Sequence, residues 1–401
     1  MKDLLKQGSI VILLGTGGVG KTTVAAALGI AGAQTGLNCA LITVDPARRL
    51  RDALGVANLG GNPARLGARH LRAAGLDPAL PLSAMMLDVK GVWDGIVERF
   101  AADPVARKRI LENPFYQSLS AEFAGAEAFA ALQQLYDLHQ SGDFALEVVD
   151  TPPAAHAFEF LEAPARFTRL LDSRTARWLF TPSLSAGWLA VKVASSAARF
   201  VMRELERFAG GNVLSTIAEF FAAAADTVDV VVDRLRKTEA LMRSPAVRFV
   251  MVTTAEEDRL RQARDLIGEM KRDKLHLSAI VVNRFLDERS WQEAVRNPRR
   301  ALTHLDAIQR LAKPGAASTT RPGRAALARD LAQYRARTLA QVVGVAAFAR
   351  ELPADVELSI APELGAGVPD LRALARVAGY VTGGAGILPA LEAAAKSIKI
   401  K

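Results

Sequence analysis

The segment Ser9 to Thr23, SIVILLGTGGVGKTT, constrains this chain more than any other stretch, because an apolar run passes without interruption into a glycine-rich loop. Ile10 to Leu14 has no polar residue on either alternation, the pattern of a parallel strand buried on both faces. Gly15-x-x-x-x-Gly20-Lys21-Thr22 then fits the phosphate-loop spacing residue for residue. Gly15, Gly17, Gly18 and Gly20 admit backbone conformations closed to other residues, so the N–H groups of Thr16, Val19 and their neighbours can surround phosphate oxygens. Lys21 supplies a point charge to the β- and γ-phosphates, and the Thr22 hydroxyl suits a Mg²⁺ coordination position. Thr23 closes the loop, and the run Val24 to Ala31 reads as a helix whose N-terminal dipole favours the anion. A chain built this way is expected to bind a nucleoside triphosphate.

The 401 residues are half hydrophobic, enough to bury a large core in one elaborated domain or two smaller ones. Met1 to Gln7 leads directly into the first strand and leaves no room for a signal peptide's apolar segment, so a cytoplasmic location is expected. The single cysteine, Cys39, excludes an intrachain disulfide and reads as a buried structural thiol. The net charge of +9 is spread over arginines interleaved with acids, which argues for a solvated surface; no nucleic-acid partner is expected.

Short β-rich runs recur at Asn38–Val44, Phe144–Val149, Arg248–Thr253, Ser278–Asn283 and Val356–Ile360, with a further candidate at Ala84–Val89. Their alternation with helical stretches predicts an α/β fold with a mainly parallel sheet flanked by helices. Two long regions carry helical periodicity without strand signals. The division expected is a nucleotide-binding core of residues 1–90, 142–162 and 244–392, with an inserted helical subdomain of residues 91–141 and 163–243. Lys313 to Arg324, rich in Pro, Gly, Ser and Thr, reads as a flexible loop ahead of a helix over Ala325 to Arg350.

Two aspartates extend the site. Thr43-Val-Asp45-Pro ends the second strand, placing Asp45 at the carboxyl edge of the sheet, where open α/β folds bind ligands and where a carboxylate can orient an attacking water or serve Mg²⁺. Leu146 to Pro153 repeats the logic with Asp150, suited to a Mg²⁺-linked acid that senses the γ-phosphate. A cap or turn role is the competing reading for each.

Together, Gly15–Thr23, Thr43–Ala47, Val149–His156, Val281–Asn283 and Ala361–Leu364 resemble the ArsA-like ATPases. That family holds the arsenite-pump and tail-anchored-protein targeting ATPases, within the deviant phosphate-loop class. The resemblance implies a phosphate-loop NTPase fold acting as a homodimeric, Mg²⁺-dependent ATPase. It puts Asp45 in a first switch and Asp150 in a second, and gives the helical insert a client protein, with at most transient membrane association. It also implies that Asn283 contacts the adenine base, with Pro362 and Leu364 nearby. Asn283-Arg-Phe-Leu286 lacks the aspartate of the guanine-recognition pattern, which favours ATP over GTP.

The chain departs from the family pattern in two places. Thr16 stands where the family has a lysine that reaches the partner subunit's nucleotide, and Arg48 or Arg49 is a candidate for the missing charge. One cysteine cannot supply the several thiolates that hold trivalent arsenic or the Cys-x-x-Cys pairs of a bridging zinc. The histidines at 70, 139, 156, 276 and 304 are scattered and read as surface or packing residues, with His156 in the second switch as the possible exception. Within the helical insert, Gly187 to Phe208 presents a broad apolar arc and Val213 to Phe221 a second apolar stretch. These two suit either a groove for an apolar client helix or ordinary helix packing.

Overall fold

The computed structural model describes residues 1, 4–44, 49–56, 59–122, 125–151, 213–286, 321–365 and 370–383. Two compact units divide the chain: one comprises Met1–Met85, Phe144–Ala154 and Pro245–Lys401, the other Met86–Asp143 and Ala155–Ser244.

The first unit is organised by an eight-stranded sheet: β1 (Ser9–Leu14), β2 (Cys39–Thr43), β3 (Ala64–Arg65), β4 (Leu82–Met86), β5 (Leu146–Asp150), β6 (Val247–Thr254), β7 (Leu277–Asn283) and β8 (Glu357–Ile360). The strand order is β3-β4-β2-β5-β1-β6-β7-β8. The pairs β2–β5, β5–β1, β1–β6, β6–β7 and β7–β8 are parallel, while β3 pairs antiparallel with β4. The expected mainly parallel sheet is therefore present, and β1 lies at its centre with all six residues buried. Helix α1 (Lys21–Gln34) is buried around almost its whole circumference, from Val24 to Ala33, because it packs both on β5 and β2 and against the helix Leu371–Thr382.

Three local differences from the sequence reading have physical causes. α1 starts at Lys21 rather than Val24, because Gly20 adopts a left-handed conformation at its N-cap (φ 92°). β4 runs over Leu82–Met86 and stops short of the expected Val89, because Asp88 caps the next helix by accepting from the Gly91 N–H at 2.9 Å. The helix Arg321–Glu351 begins inside the loop expected up to Arg324, since Pro322 falls in the first turn, where its missing N–H costs nothing. Residues 313–320 lie outside the described residues. β3, two exposed residues long, carries no periodicity that a sequence can reveal.

The first unit also holds the short helices α2 (Arg49–Leu54) and α3 (Ala68–Ala73). Among the described residues the second unit is helical: α4 (Val89–Phe100), α5 (Pro104–Leu111), α6 (Pro114–Glu122), α7 (Ala126–Ser141) and the long helix Val213–Met242. An aromatic core joins them. Trp93 lies 4.3 Å from Phe129 between ring centroids, Tyr116 stacks on Phe220 at 6.1 Å, and Phe115 meets Phe220 edge-on at 5.1 Å. Phe220 and Phe221, from the second apolar stretch singled out in the insert, pack against Phe115. The Gly187–Phe208 stretch lies outside the described residues.

Candidate functional site

The site is built at the carboxyl ends of the central strands. β1 ends at Leu14, and Gly15 turns the chain at φ 151°, a conformation that places its own missing Cβ 2.3 Å from the Val252 carbonyl oxygen of β6. At the far end of the loop Gly20 has φ 92°, and a Cβ there would meet Asn283 Nδ2 at 2.3 Å. Only glycine fits at either end, so the loop spacing follows from backbone sterics.

Within the loop, the Lys21 ammonium is buried and donates to the carbonyls of Gly15 at 2.9 Å and Thr16 at 3.3 Å. Thr22 Oγ1 donates to Asp150 Oδ2 at 2.7 Å, joining residues 128 positions apart, and Thr43 Oγ1 donates to the same carboxylate oxygen at 3.3 Å. The register explains the meeting, since Asp150 pairs with Leu13 of β1 on one side and Thr43 of β2 on the other. Thr22 spends its proton on Asp150, which leaves lone pairs of its hydroxyl oxygen to accept. Together with a carboxylate this is a hard oxygen donor set, the kind that fits Mg²⁺.

A second group closes the other side. Asn283, at the end of β7 and 4 % exposed, donates through Nδ2 to the Val19 carbonyl at 2.9 Å and so ties the loop to the sheet. Beyond it the chain doubles beside the segment after β8. The Ala361 N–H donates to the Val282 carbonyl at 2.9 Å, the Phe285 N–H to the Ala361 carbonyl at 3.0 Å, and the Glu363 N–H to the Leu286 carbonyl at 2.8 Å. Pro362, between two residues bonded to this turn, is buried, and Leu364 follows half-buried in the same segment. Arg284 (φ 55°) and Leu286 (φ 51°) hold left-handed conformations on this turn, strain of the kind that the surrounding structure must impose.

Asp45 and Arg48 lie outside the described residues; Arg49 opens α2 (Arg49–Leu54). Three contributors escaped the sequence reading. Thr43 shares Asp150 with Thr22, and Thr151 Oγ1 donates to the Leu13 carbonyl. Arg259, near the start of the helix Glu257–Arg272, donates from Nη1 to Thr16 Oγ1 at 3.0 Å. The available signal for Arg259 was its place just after a strand ending in two threonines, which alone does not reveal the direction of a long side chain.

Away from the loop, Cys39 is buried in β2, and burial pushes its thiol pKa up to about 12. Such a thiol stays protonated and inert. Among the described residues, no cluster of three or more His, Cys, Asp and Glu is gathered for a metal ion, and no helix is long and apolar enough to cross a membrane.

Residues 9–311 match the family described as anion-transporting ATPase, an interval that holds the loop, Asp150 and Asn283. The chain is 26% identical over 320 residues to the ATPase get3 of Aspergillus terreus, spanning 78% of this chain and 84% of that protein. It is 24% identical over 289 residues to an ATPase ASNA1 homolog of Babesia bovis, spanning 71% and 69% of the two. A shorter match, 27% over 168 residues, covers 42% of this chain and 26% of a putative arsenical pump-driving ATPase of Halobacterium salinarum. With the loop formed around a buried lysine and with similarity of this extent, the chain belongs to the anion-transporting ATPase family and is an ATPase.

Proposed function

We propose that this ATPase runs a Mg²⁺-dependent nucleotide cycle that switches a homodimer between states of different affinity for a client protein. The observation that carries the site assignment is the 2.7 Å hydrogen bond from Thr22 to Asp150, because it couples the loop's hydroxyl to the strand that leads into the second switch. In this reading Lys21 exchanges its two loop carbonyls for the β- and γ-phosphates of ATP, with the loop amides of residues 15–23 completing the cradle. Thr22, Asp45 and Asp150 hold Mg²⁺, whose charge offsets that of the phosphate oxygens. Asp45 orients the attacking water, and Asp150 reports the presence of the γ-phosphate to the residues that follow it. Asn283 has a second amide hydrogen and a carbonyl oxygen beyond its bond to Val19, so it can still address the adenine base beside Pro362 and Leu364.

The client surface is assigned to the helical unit, here divided as residues 91–141 and 163–243. The similarity to ATPases named get3 and ASNA1 supports that reading. The client expected is a protein with a single terminal transmembrane helix.

The test is to retain proteins from native lysate with Asp45→Asn, intended to bind ATP without hydrolysing it, beside Lys21→Ala as the nucleotide-binding control, and to identify both sets by mass spectrometry. Enrichment of single-span membrane proteins on Asp45→Asn alone is the expected outcome. One dominant soluble partner would replace client targeting by a regulatory switch, and identical profiles on both variants would remove nucleotide-gated binding altogether.

A further inference from the structure

The helix Glu257–Arg272 carries four arginines, and three of them are spent on carboxylates: Arg261 on Asp258, Arg264 on Glu351 and Arg272 on Glu269. Arg259 behaves differently. Its Nη1 reaches back to the phosphate loop and donates to Thr16 Oγ1 at 3.0 Å, with Gln262 Oε1 as a second acceptor at 3.1 Å. Among the described residues no carboxylate neutralises it, and its Nε and Nη2 donors have no partner. Its backbone is held as well, because Thr253 Oγ1 at the end of β6 donates to the Arg259 carbonyl at 3.2 Å. Thr16 consequently sits between two cations, with Lys21 Nζ on its carbonyl at 3.3 Å and the Arg259 guanidinium on its hydroxyl.

A lysine in this position of a phosphate loop serves the β- and γ-phosphates, and Thr16 is one of the two residues whose carbonyls Lys21 holds. The Arg259 guanidinium is anchored on the hydroxyl of that same residue. It has two donor groups in a planar fork, the geometry that grips phosphate oxygens. Half-burying a guanidinium that no carboxylate among the described residues neutralises is costly, and an anion bound beside it offsets that cost. We propose that Arg259 is a catalytic arginine acting in cis: it contacts the terminal phosphates of the ATP bound in its own subunit, positioned by the Thr16 hydroxyl. The site then draws its second positive charge from the same chain, rather than from Arg48, Arg49 or the other protomer. This rests on ATP occupying the loop as proposed above.

The test compares binding of a non-hydrolysable β,γ-imido ATP analogue with binding of ADP, in wild type, Arg259→Ala, Arg259→Gln and Thr16→Val, together with ATP turnover. Arg259→Ala is expected to weaken the triphosphate analogue about tenfold or more relative to ADP, the size of a lost charge-assisted hydrogen bond. Thr16→Val, which keeps the charge but removes its anchor, should give a smaller loss in the same direction. Arg259→Gln and Thr16→Val carry the comparison if the alanine variant does not fold. Mixing Arg259→Ala with Lys21→Ala separates cis from trans: a cis arginine gives no recovery of turnover, whereas recovery would overturn the proposal. An unchanged ratio of triphosphate to diphosphate affinity in Arg259→Ala and Arg259→Gln would overturn it too. Wild-type nucleotide binding by Lys21→Ala would instead strike at the loop assignment itself.

Discussion

The phosphate loop and the helical unit are held in contrasting ways. The loop is pinned by polar contacts from residues far away in sequence: Asp150 on Thr22, Asn283 on the Val19 carbonyl, Arg259 on Thr16. The helical unit is held chiefly by rings, Trp93 on Phe129 and Phe115 and Tyr116 on Phe220, with polar contacts such as the Phe115 N–H on Asn113 and Arg234 on Asp137 beside them. The contrast follows from what each must do. A site that accepts an anion needs donors and charges oriented before the ligand arrives. A helical packing surface needs only shape and apolar area, so its energy comes from burial.

The largest effect should come from attacking the ring core. Trp93→Ala removes a side chain that is 9 % exposed, and large-to-small changes of this kind cost about 3–5 kcal/mol. Hydrogen exchange should show α4 and α7 losing protection while β1 and β5 keep theirs. Equal loss in all four would mean that the two regions are not energetically separable.

Gly20→Ala is the counterpart in the loop. It places a Cβ against the Asn283 amide and forces a non-glycine residue into a left-handed conformation, worth about 1–2 kcal/mol in backbone strain alone. Titration with a fluorescent nucleotide should give an affinity lower by about tenfold or more. Unchanged affinity would show that the loop yields to polar anchors far more easily than its sterics imply.

A smaller effect tests a polar contact inside the helical unit. Asn113 Oδ1 accepts from the Phe115 and Tyr116 N–H groups at the start of α6, and its Nδ2 donates to the Thr216 carbonyl at 2.9 Å. Asn113→Ala should cost about 1 kcal/mol in urea unfolding, the usual worth of a lost N-cap. A loss as large as that of Trp93→Ala would erase the distinction drawn between ring-held and polar-held regions.

The smallest effect concerns an apolar contribution within the nucleotide unit. The Cys39 thiol has its pKa raised by burial to about 12, so the unfolded thiol, near 8.5, ionises first. Its contribution to stability is therefore complete below about pH 8.5 and is lost as pH climbs toward 12. Between pH 8 and 9 the loss should be below about 1 kcal/mol, and this component should vanish in Cys39→Ala when urea midpoints are compared. An identical pH slope in both proteins would mean that Cys39 is not the source.

Much of the loop was legible in the sequence because its residues are consecutive: glycine spacing, Lys21 and Thr22 follow from backbone sterics and phosphate chemistry within a few positions. The strand ends at Asp150 and Asn283 were legible as places, since apolar runs stop there, but their contacts were not. The helical periodicity of 91–141 was readable too, whereas the choice of Phe220 as the ring that meets Phe115 and Tyr116 was not.

By itself the sequence determined an α/β architecture around β1, a phosphate-binding loop after it, and an acid at the end of β5, because each depends on local pattern and covalent adjacency. Only the tertiary structure decided that Thr22 and Thr43 converge on one oxygen of Asp150, that Asn283 spends an amide hydrogen on the loop, and that Arg259 turns toward Thr16 while its neighbours pair with acids. Those outcomes depend on strand order, register and side-chain direction across hundreds of residues, quantities that no local pattern encodes.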